Sequence, residues 1–277
     1  MNTSLLASAR SFLFVPANRP ERFAKALASG ADAVILDLED SVPLQTKAEA
    51  RAAIRQAWPK LQASACAVVI RINSPETAWG QQDLADLQGL EGLAGIMVPK
   101  CEGAQTLQRV AQAFPGVPSL PIIESAAGYL ALREIIQAPQ LGRLVVGHID
   151  FLADTGMHCS DDQRELDPLR FEVAMCTRQA NLAPAVDGVT VSVDDEAMIR
   201  LDTERSLRFG FGAKLCIHPK QVPVVHATFA PTPVQIDWAQ RVLAAMAASE
   251  GSAVQLEGKM VDLPVVLQAQ RLLERVR

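Results

Sequence analysis

Two acidic residues stand where short apolar runs stop. Glu124 closes Pro121-Ile122-Ile123-Glu124, and Asp150 closes Val145-Val146-Gly147-His148-Ile149-Asp150. Carboxylates brought side by side either share a proton or bind a cation. Hard oxygen donors with room left for water and substrate suit Mg²⁺. Arg71 follows Ala67-Val68-Val69-Ile70 and offers a permanently charged planar fork, which suits a carboxylate or the oxygen of an enolate. Asp37, Glu39 and Asp40 end another such run; they could brace Arg71 at a rim, or orient it or a metal-bound water from behind. A single strand-end Glu more commonly serves a salt bridge or a helix cap, so the weight lies in the set. Pro16, Lys100, His148, Asp187 and His218 also end apolar runs; for Lys100 and His148 a structural role is the better reading.

The elements that must position these groups are legible as runs rich in Val, Ile and Leu. They are Phe12–Val15, Ala33–Leu38, Ala67–Ile72, Gly95–Val98, Pro121–Ile123, Arg143–Val146, Ala185–Val189 and Lys214–Ile217. Such runs read as strands buried on both faces of a parallel sheet. Eight of them, alternating with helical segments, predict an α/β fold, the (β/α)₈ TIM barrel, whose sites lie at the C-terminal strand ends. Helix starts are expected at Asn18 before Pro20, at the capping-box spacing Thr46 to Glu49, at Asp167-Pro168 and at Thr232-Pro233. A helical pattern spans Asp194 to Arg208, with Gly210 beyond it, whereas Phe151–Leu166 is polar and without an obvious element. The chain then continues past a complete set of strands. The expected organisation is a catalytic barrel over residues 1–220 and a C-terminal helical extension and lid over 221–277.

Bulk properties narrow the function classes. Lys and Arg number 26 against 31 Asp and Glu, a net charge of -5, which argues against nonspecific nucleic-acid binding. A local cluster of cations could still hold an anionic ligand. The cysteines, Cys66, Cys101, Cys159, Cys176 and Cys216, are odd in number and include no close pair, so neither a disulfide framework nor a structural zinc site is expected. The N-terminus lacks a signal-peptide pattern and no apolar run reaches about 18 residues. A cytoplasmic protein with no membrane partner is expected.

The motifs together resemble those of the citrate lyase β-subunit-like family, within the wider HpcH/HpaI aldolases, malyl-CoA lyases and citramalyl-CoA lyases. They are Arg10-Ser11-Phe12-Leu13-Phe14-Val15-Pro16, Asp37-Leu38-Glu39-Asp40-Ser41-Val42, Arg71-Ile72-Asn73, Val98-Pro99-Lys100, Ile123-Glu124-Ser125 and Gly147-His148-Ile149-Asp150-Phe151-Leu152. The similarity runs in order from Arg10 to about Pro264. It implies that Glu124 and Asp150 hold Mg²⁺, that Arg71 holds the reacting oxygen, and that Phe14, Arg19 and Lys25 contact the CoA portion of a substrate. From the residues alone, Arg19 and Lys25 could meet phosphates or form an ordinary solvated face. Gly258-Lys259-Met260-Val261-Asp262-Leu263-Pro264 resembles the segment that carries an acid/base aspartate, here Asp262, on a lid over a neighbouring subunit. That implies a homo-oligomer, a trimer or a dimer of trimers. An Asp shortly before Pro264 is also a natural helix cap. One departure stands out: many relatives carry Glu-Asp at the second ligand segment, whereas Ile149 precedes Asp150 here.

The resemblance therefore implies a Mg²⁺-dependent carbon–carbon lyase for a 3-hydroxyacyl-CoA with a terminal carboxylate, releasing a 2-oxo acid and acetyl-CoA. Malyl-, citramalyl- and citryl-type acyl groups are all open, since one methyl in a pocket is worth about 1–3 kcal/mol. The alternatives are a citrate lyase β-like subunit with a protein-borne acyl group, a CoA-independent class II aldolase for hydroxy-oxo acids, and a non-catalytic barrel that only binds CoA. The last has no need to assemble such charges.

Overall fold

The computed structural model describes residues 2–248 and 254–276. Eight parallel strands close a barrel in sequential order. They are β1 Ser11–Pro16, β2 Ala33–Asp37, β3 Ala67–Arg71, β4 Gly95–Val98, β5 Ser119–Ile123, β6 Val145–Val146, β7 Val186–Asp187 and β8 Ala213–Cys216. β1 closes the ring on β8 with Phe12 beside Leu215. Alternation sorts the side chains: Phe12, Ile35, Val69, Met97, Ile122 and Leu215 join one buried cluster that fills the barrel. Phe14 packs on its upper layer. Leu6 and Ala9 belong to the same cluster, so the first helix, Asn2–Ser8, supplies the floor.

That floor is locked by Arg143, which is 1% exposed. Its guanidinium donates to the carbonyls of Ala9 (2.7 Å), Leu6 (3.1 Å) and Pro184 (2.6 Å) and lies over the Phe12 ring. Burial pushes this Arg down to about 9, and no carboxylate bonds to it among the described residues.

Helices Lys47–Gln62, Ala78–Asp86, Ala104–Ala113, Asp167–Gln179 and Glu196–Arg208 surround the strands. Asp195 caps the last of these by accepting from Met198 N, and Gly210 beyond it takes φ 82°. Thr232 and Gln235 form a reciprocal capping box at helix Pro233–Ala248.

Several expected starts differ. The Thr46 hydroxyl donates to Pro43 O in a 3₁₀ turn and caps nothing. Asn18 does not cap either: the chain enters a 3₁₀ turn, Pro20–Arg22, without a side-chain cap. Asp167 is the first helical residue rather than the cap. The apolar run through Asp150 is no continuous strand. β6 stops at Val146, and helix His148–Thr155 begins after Gly147, so Asp150 lies in a first helical turn. The stretch expected to lack structure thus contains the end of that helix and a 3₁₀ turn at Arg164–Leu166.

Two compact units divide the chain, Met1–Val225 and His226–Arg277. In the second, helices Pro233–Ala248 and Leu263–Leu273 share a core with Ala239, Val242, Val261, Val266 and Ala269. A hairpin, β9 Val254–Leu256 and β10 Lys259–Val261, turns through Glu257 and Gly258, both at positive φ. Two such residues make the tight turn that matches strand twist. Among the described residues, no helix is long and apolar enough to cross a membrane.

Candidate active site

Asp37 and Arg71 are register partners at the ends of β2 and β3. Arg71 Nε and Nη2 donate to the two Asp37 carboxylate oxygens at 2.6 and 2.7 Å, and Nη1 lies 2.8 Å from Glu39 Oε2. A guanidinium has five N–H donors, so this bracing leaves donors on Nη1 and Nη2. The guanidinium carbon stands 4.8 Å above the centre of the Phe14 ring. Asp37 also accepts from Glu39 N and Ser41 N. Burial pushes Asp37 up, but its bonds to Arg71 outweigh that and hold it below the ordinary carboxylate range. Glu39 goes the other way: burial raises it despite Arg71 and Lys100.

The loop bearing Glu39 is pinned by residues that sequence reasoning missed. Buried Lys47 donates from Nζ to the carbonyls of Leu38 (2.7 Å) and Glu39 (3.0 Å). Asn73 Nδ2 donates to Leu38 O and to Asp83, which in turn accepts from Arg51. Lys47 at the start of an amphipathic helix reads as solvated, and only its burial reveals the role.

Glu124, at the end of β5, is 4% exposed and accepts from Lys100 N at 2.6 Å. Lys100 sits at φ 48° and sends Nζ back to Glu39 Oε1 at 2.6 Å. Lys100 thus ties the two acidic groups together, the structural role expected of it. Glu124 is pushed up to about 8 by burial first, then by the negative charges of Glu39 and Asp150, against the pull of the Lys100 amide. Asp150 is half-buried and makes no hydrogen bond or ion pair with a described residue. Asp40 is exposed, 4.0 Å from Lys100 Nζ.

Asp37, Glu39, Asp40, Glu124 and Asp150 therefore outnumber their cations, Arg71 and Lys100. A divalent cation beside Glu124 and Asp150 would bring this cluster close to balance and favour the ionised Glu124. No group of three or more His, Cys, Asp or Glu side chains is placed to hold a metal among the described residues. Two carboxylates with open positions suit Mg²⁺, which keeps water and substrate ligands, better than they suit a closed zinc cage.

Other expected rim groups stand elsewhere. Asp187 faces the surrounding helices because Val186, its neighbour, occupies the barrel interior. It accepts from Arg170 Nε (3.2 Å) and Ser206 Oγ (2.6 Å), and these partners with Lys214 hold it down to about 2 against burial. His218 Nδ1 accepts from Lys220 N. His148 is buried, pushed down to about 4 by that burial, and neither ring nitrogen is hydrogen-bonded to a described residue. Arg19 pairs with Glu21 on the exposed turn after β1, and Lys25 is exposed on helix Phe23–Leu27. Neither is bonded to the cluster. Asp262 belongs to the second compact unit, where it caps helix Leu263–Leu273 by accepting from Val265 N at 3.4 Å.

Residues 10–219, which span the braced arginine and both acids, match the HpcH/HpaI aldolase/citrate lyase family. The chain belongs to that family. It is an enzyme of the lyase/aldolase type. A citrate lyase subunit beta-like protein of Deinococcus radiodurans is 36% identical over 275 residues, covering 95% of this chain and 96% of the relative. A (3S)-malyl-CoA thioesterase of Cereibacter sphaeroides is 31% identical, over 96% of this chain and 94% of its own. The crystal structure of CitE from Mycobacterium tuberculosis with magnesium, acetoacetate and coenzyme A superposes with a TM-score of 0.84 at 33% identity, covering 98% of both chains.

Proposed function

We propose that the chain is a Mg²⁺-dependent lyase that cleaves, or in reverse forms, a carbon–carbon bond in a 3-hydroxyacyl-CoA carrying a terminal carboxylate. The observation that carries this reading is the Arg71 fork, braced by Asp37 and Glu39, beside the partnerless carboxylate of Asp150 and the buried Glu124. Glu124 and Asp150 would hold Mg²⁺, which supplies Lewis-acid polarisation of the substrate's hydroxyl and carboxylate oxygens. As the hydroxyl gives up its proton to solvent water, the bond to the carbon next to the thioester breaks and its electron pair passes into the thioester enolate. Arg71 turns its remaining N–H donors on that enolate oxygen, a charge that exists only late in the reaction, so its effect falls on the barrier. The enolate carbon takes a proton from Asp262 and leaves as acetyl-CoA, with a 2-oxo acid as the other product.

Phe14, Arg19 and Lys25 are assigned to the CoA portion; Arg19 and Lys25 are exposed on the segment after β1, where phosphates could reach them. The magnesium and coenzyme A bound by the similar CitE support the same reading. In this account residues 1–220 are the catalytic barrel and 221–277 the extension and lid. The lid brings Asp262 to a neighbouring barrel within a homotrimer, or a dimer of trimers, in the cytoplasm. The test is incubation with malyl-, citramalyl- and citryl-CoA plus Mg²⁺. Equal amounts of acetyl-CoA and 2-oxo acid are expected from at least one. Free CoA with an intact hydroxy acid would assign a thioesterase instead, the activity for which one relative is named. Turnover of free hydroxy-oxo acids alone would assign a CoA-independent aldolase, and turnover only of a protein-borne acyl group a citrate lyase β-like subunit.

A further inference from the structure

The turn that delivers Asp150 is wedged between two neighbouring strands. On the β5 side, a Cβ on Gly147 would stand 2.5 Å from Glu124 Oε2 and 2.7 Å from Glu124 Cβ. On the β7 side, a Cβ on Gly188 would stand 2.1 Å from His148 Nδ1 and 2.9 Å from His148 Cε1. Both glycines are thus required for space. The His148 ring rests directly on the Gly188 backbone, and that backbone is pinned. Lys214 Nζ donates to Gly188 O at 2.7 Å, and Gly188 N donates to Asp187 Oδ1 at 2.8 Å.

His148 is 2% exposed, yet among the described residues neither ring nitrogen has a hydrogen-bond partner. Leaving a buried polar group unmet costs about 1–3 kcal/mol. The charged groups nearest the ring are engaged elsewhere. Asp187 is held by Arg170 and Ser206, Lys214 by Gly188 O, and Asp202 by Thr190 and Arg205. The contribution left to this imidazole is its shape.

We propose that His148 is a positioning residue for the metal-binding pair: its ring, seated on the pinned Gly188 peptide, is the spacer that sets the first turn of helix His148–Thr155 and so holds the Asp150 carboxylate toward Glu124. This rests on the assignment of Glu124 and Asp150 as ligands of a divalent cation. His148 is the first residue of the helix and Asp150 the third, so one rigid turn joins spacer and ligand. Mg²⁺ demands oxygen ligands at about 2.0–2.1 Å in near-ideal geometry. A methyl group forced between ring and backbone, on the order of 1 Å of displacement, exceeds that tolerance.

The experiment measures Mn²⁺ binding to the metal-stripped, full-length protein by electron paramagnetic resonance, with thermal unfolding in EDTA alongside. Wild type should bind Mn²⁺, and Glu124→Gln should not. If wild type fails to bind, the ligand assignment itself falls, whatever His148 does. Given wild-type binding, Gly188→Ala should weaken Mn²⁺ affinity by roughly tenfold or more, the size usual for residues that orient metal ligands. His148→Ala, which introduces no clash, should also weaken it severalfold. The double variant should bind better than either single one, because the new methyl group partly fills the space the ring leaves. Wild-type affinity in folded His148→Ala would overturn the proposal. So would a double variant no better than the worse parent.

Discussion

Replacing Arg71 by Lys keeps the charge and removes the fork. In the native site three guanidinium nitrogens hold Asp37 at 2.6 and 2.7 Å and Glu39 at 2.8 Å, while the outer N–H groups stay available to a reacting oxygen. A single ammonium cannot bridge both Asp37 oxygens, reach Glu39 and still meet the enolate. Removing one such transition-state donor costs about 10²–10³ in kcat, or about 2.7–4 kcal/mol. The expected result is a fall in kcat/KM of at least about a hundredfold, carried mainly by kcat because the enolate charge is absent from bound substrate. The assay is steady-state formation of acetyl-CoA from the best hydroxyacyl-CoA at saturating Mg²⁺. Thermal unfolding in parallel separates lost chemistry from lost fold. An Arg71→Lys enzyme within a few-fold of wild type in kcat would refute the reasoning and leave Arg71 as a point charge bracing the rim.

Other perturbations probe different links in the account. Arg143→Leu leaves the carbonyls of Leu6, Ala9 and Pro184 without their donor; urea unfolding should report a loss on the order of 3–5 kcal/mol, with kcat retained where the variant stays folded. Asp187 is held down to about 2, below its ordinary value of 3.8, by Arg170, Lys214 and Ser206 against burial. Its contribution to stability is therefore fully present above about pH 4 and lost as pH falls toward about 2, about 2 kcal/mol in all; Asp187→Asn should flatten that part of the pH–stability curve. Asp262→Asn keeps an acceptor for Val265 N but removes the acid, so melting should hardly move while turnover collapses. Mixing Asp262→Ala with Glu124→Ala subunits should regenerate activity if lids cross between chains, and mixed oligomers no more active than either parent would place Asp262 in its own chain's site or in the cap alone.

The barrel is legible in the sequence because its strands are buried on both faces and so read as unbroken apolar runs; all eight occur where such runs stand. The Asp37–Arg71 pair is legible as well, since both residues close their strands and parallel register sets them opposite. What escapes has particular causes. Asp150 is expected at a strand end, but the run Arg143–Val146 stops where β6 stops and Asp150 follows in a first helical turn, which apolar periodicity cannot separate from a strand end. Asp187 is expected on the rim, but in a strand of two residues the choice of face is invisible until the barrel closes. Buried Lys47 and the contact between Gly188 and His148 depend on approaches between segments far apart in sequence, which no local pattern encodes.

The most direct test of the central claim is metal-dependent carbon–carbon cleavage by the purified enzyme, followed as acetyl-CoA and 2-oxo acid from one hydroxyacyl-CoA. EDTA should abolish the release of both products, Mg²⁺ should restore them in equal amounts, and Glu124→Gln should stay inactive at any Mg²⁺ concentration while still folded. Full cleavage activity in the metal-stripped enzyme, or in Glu124→Gln, would contradict it.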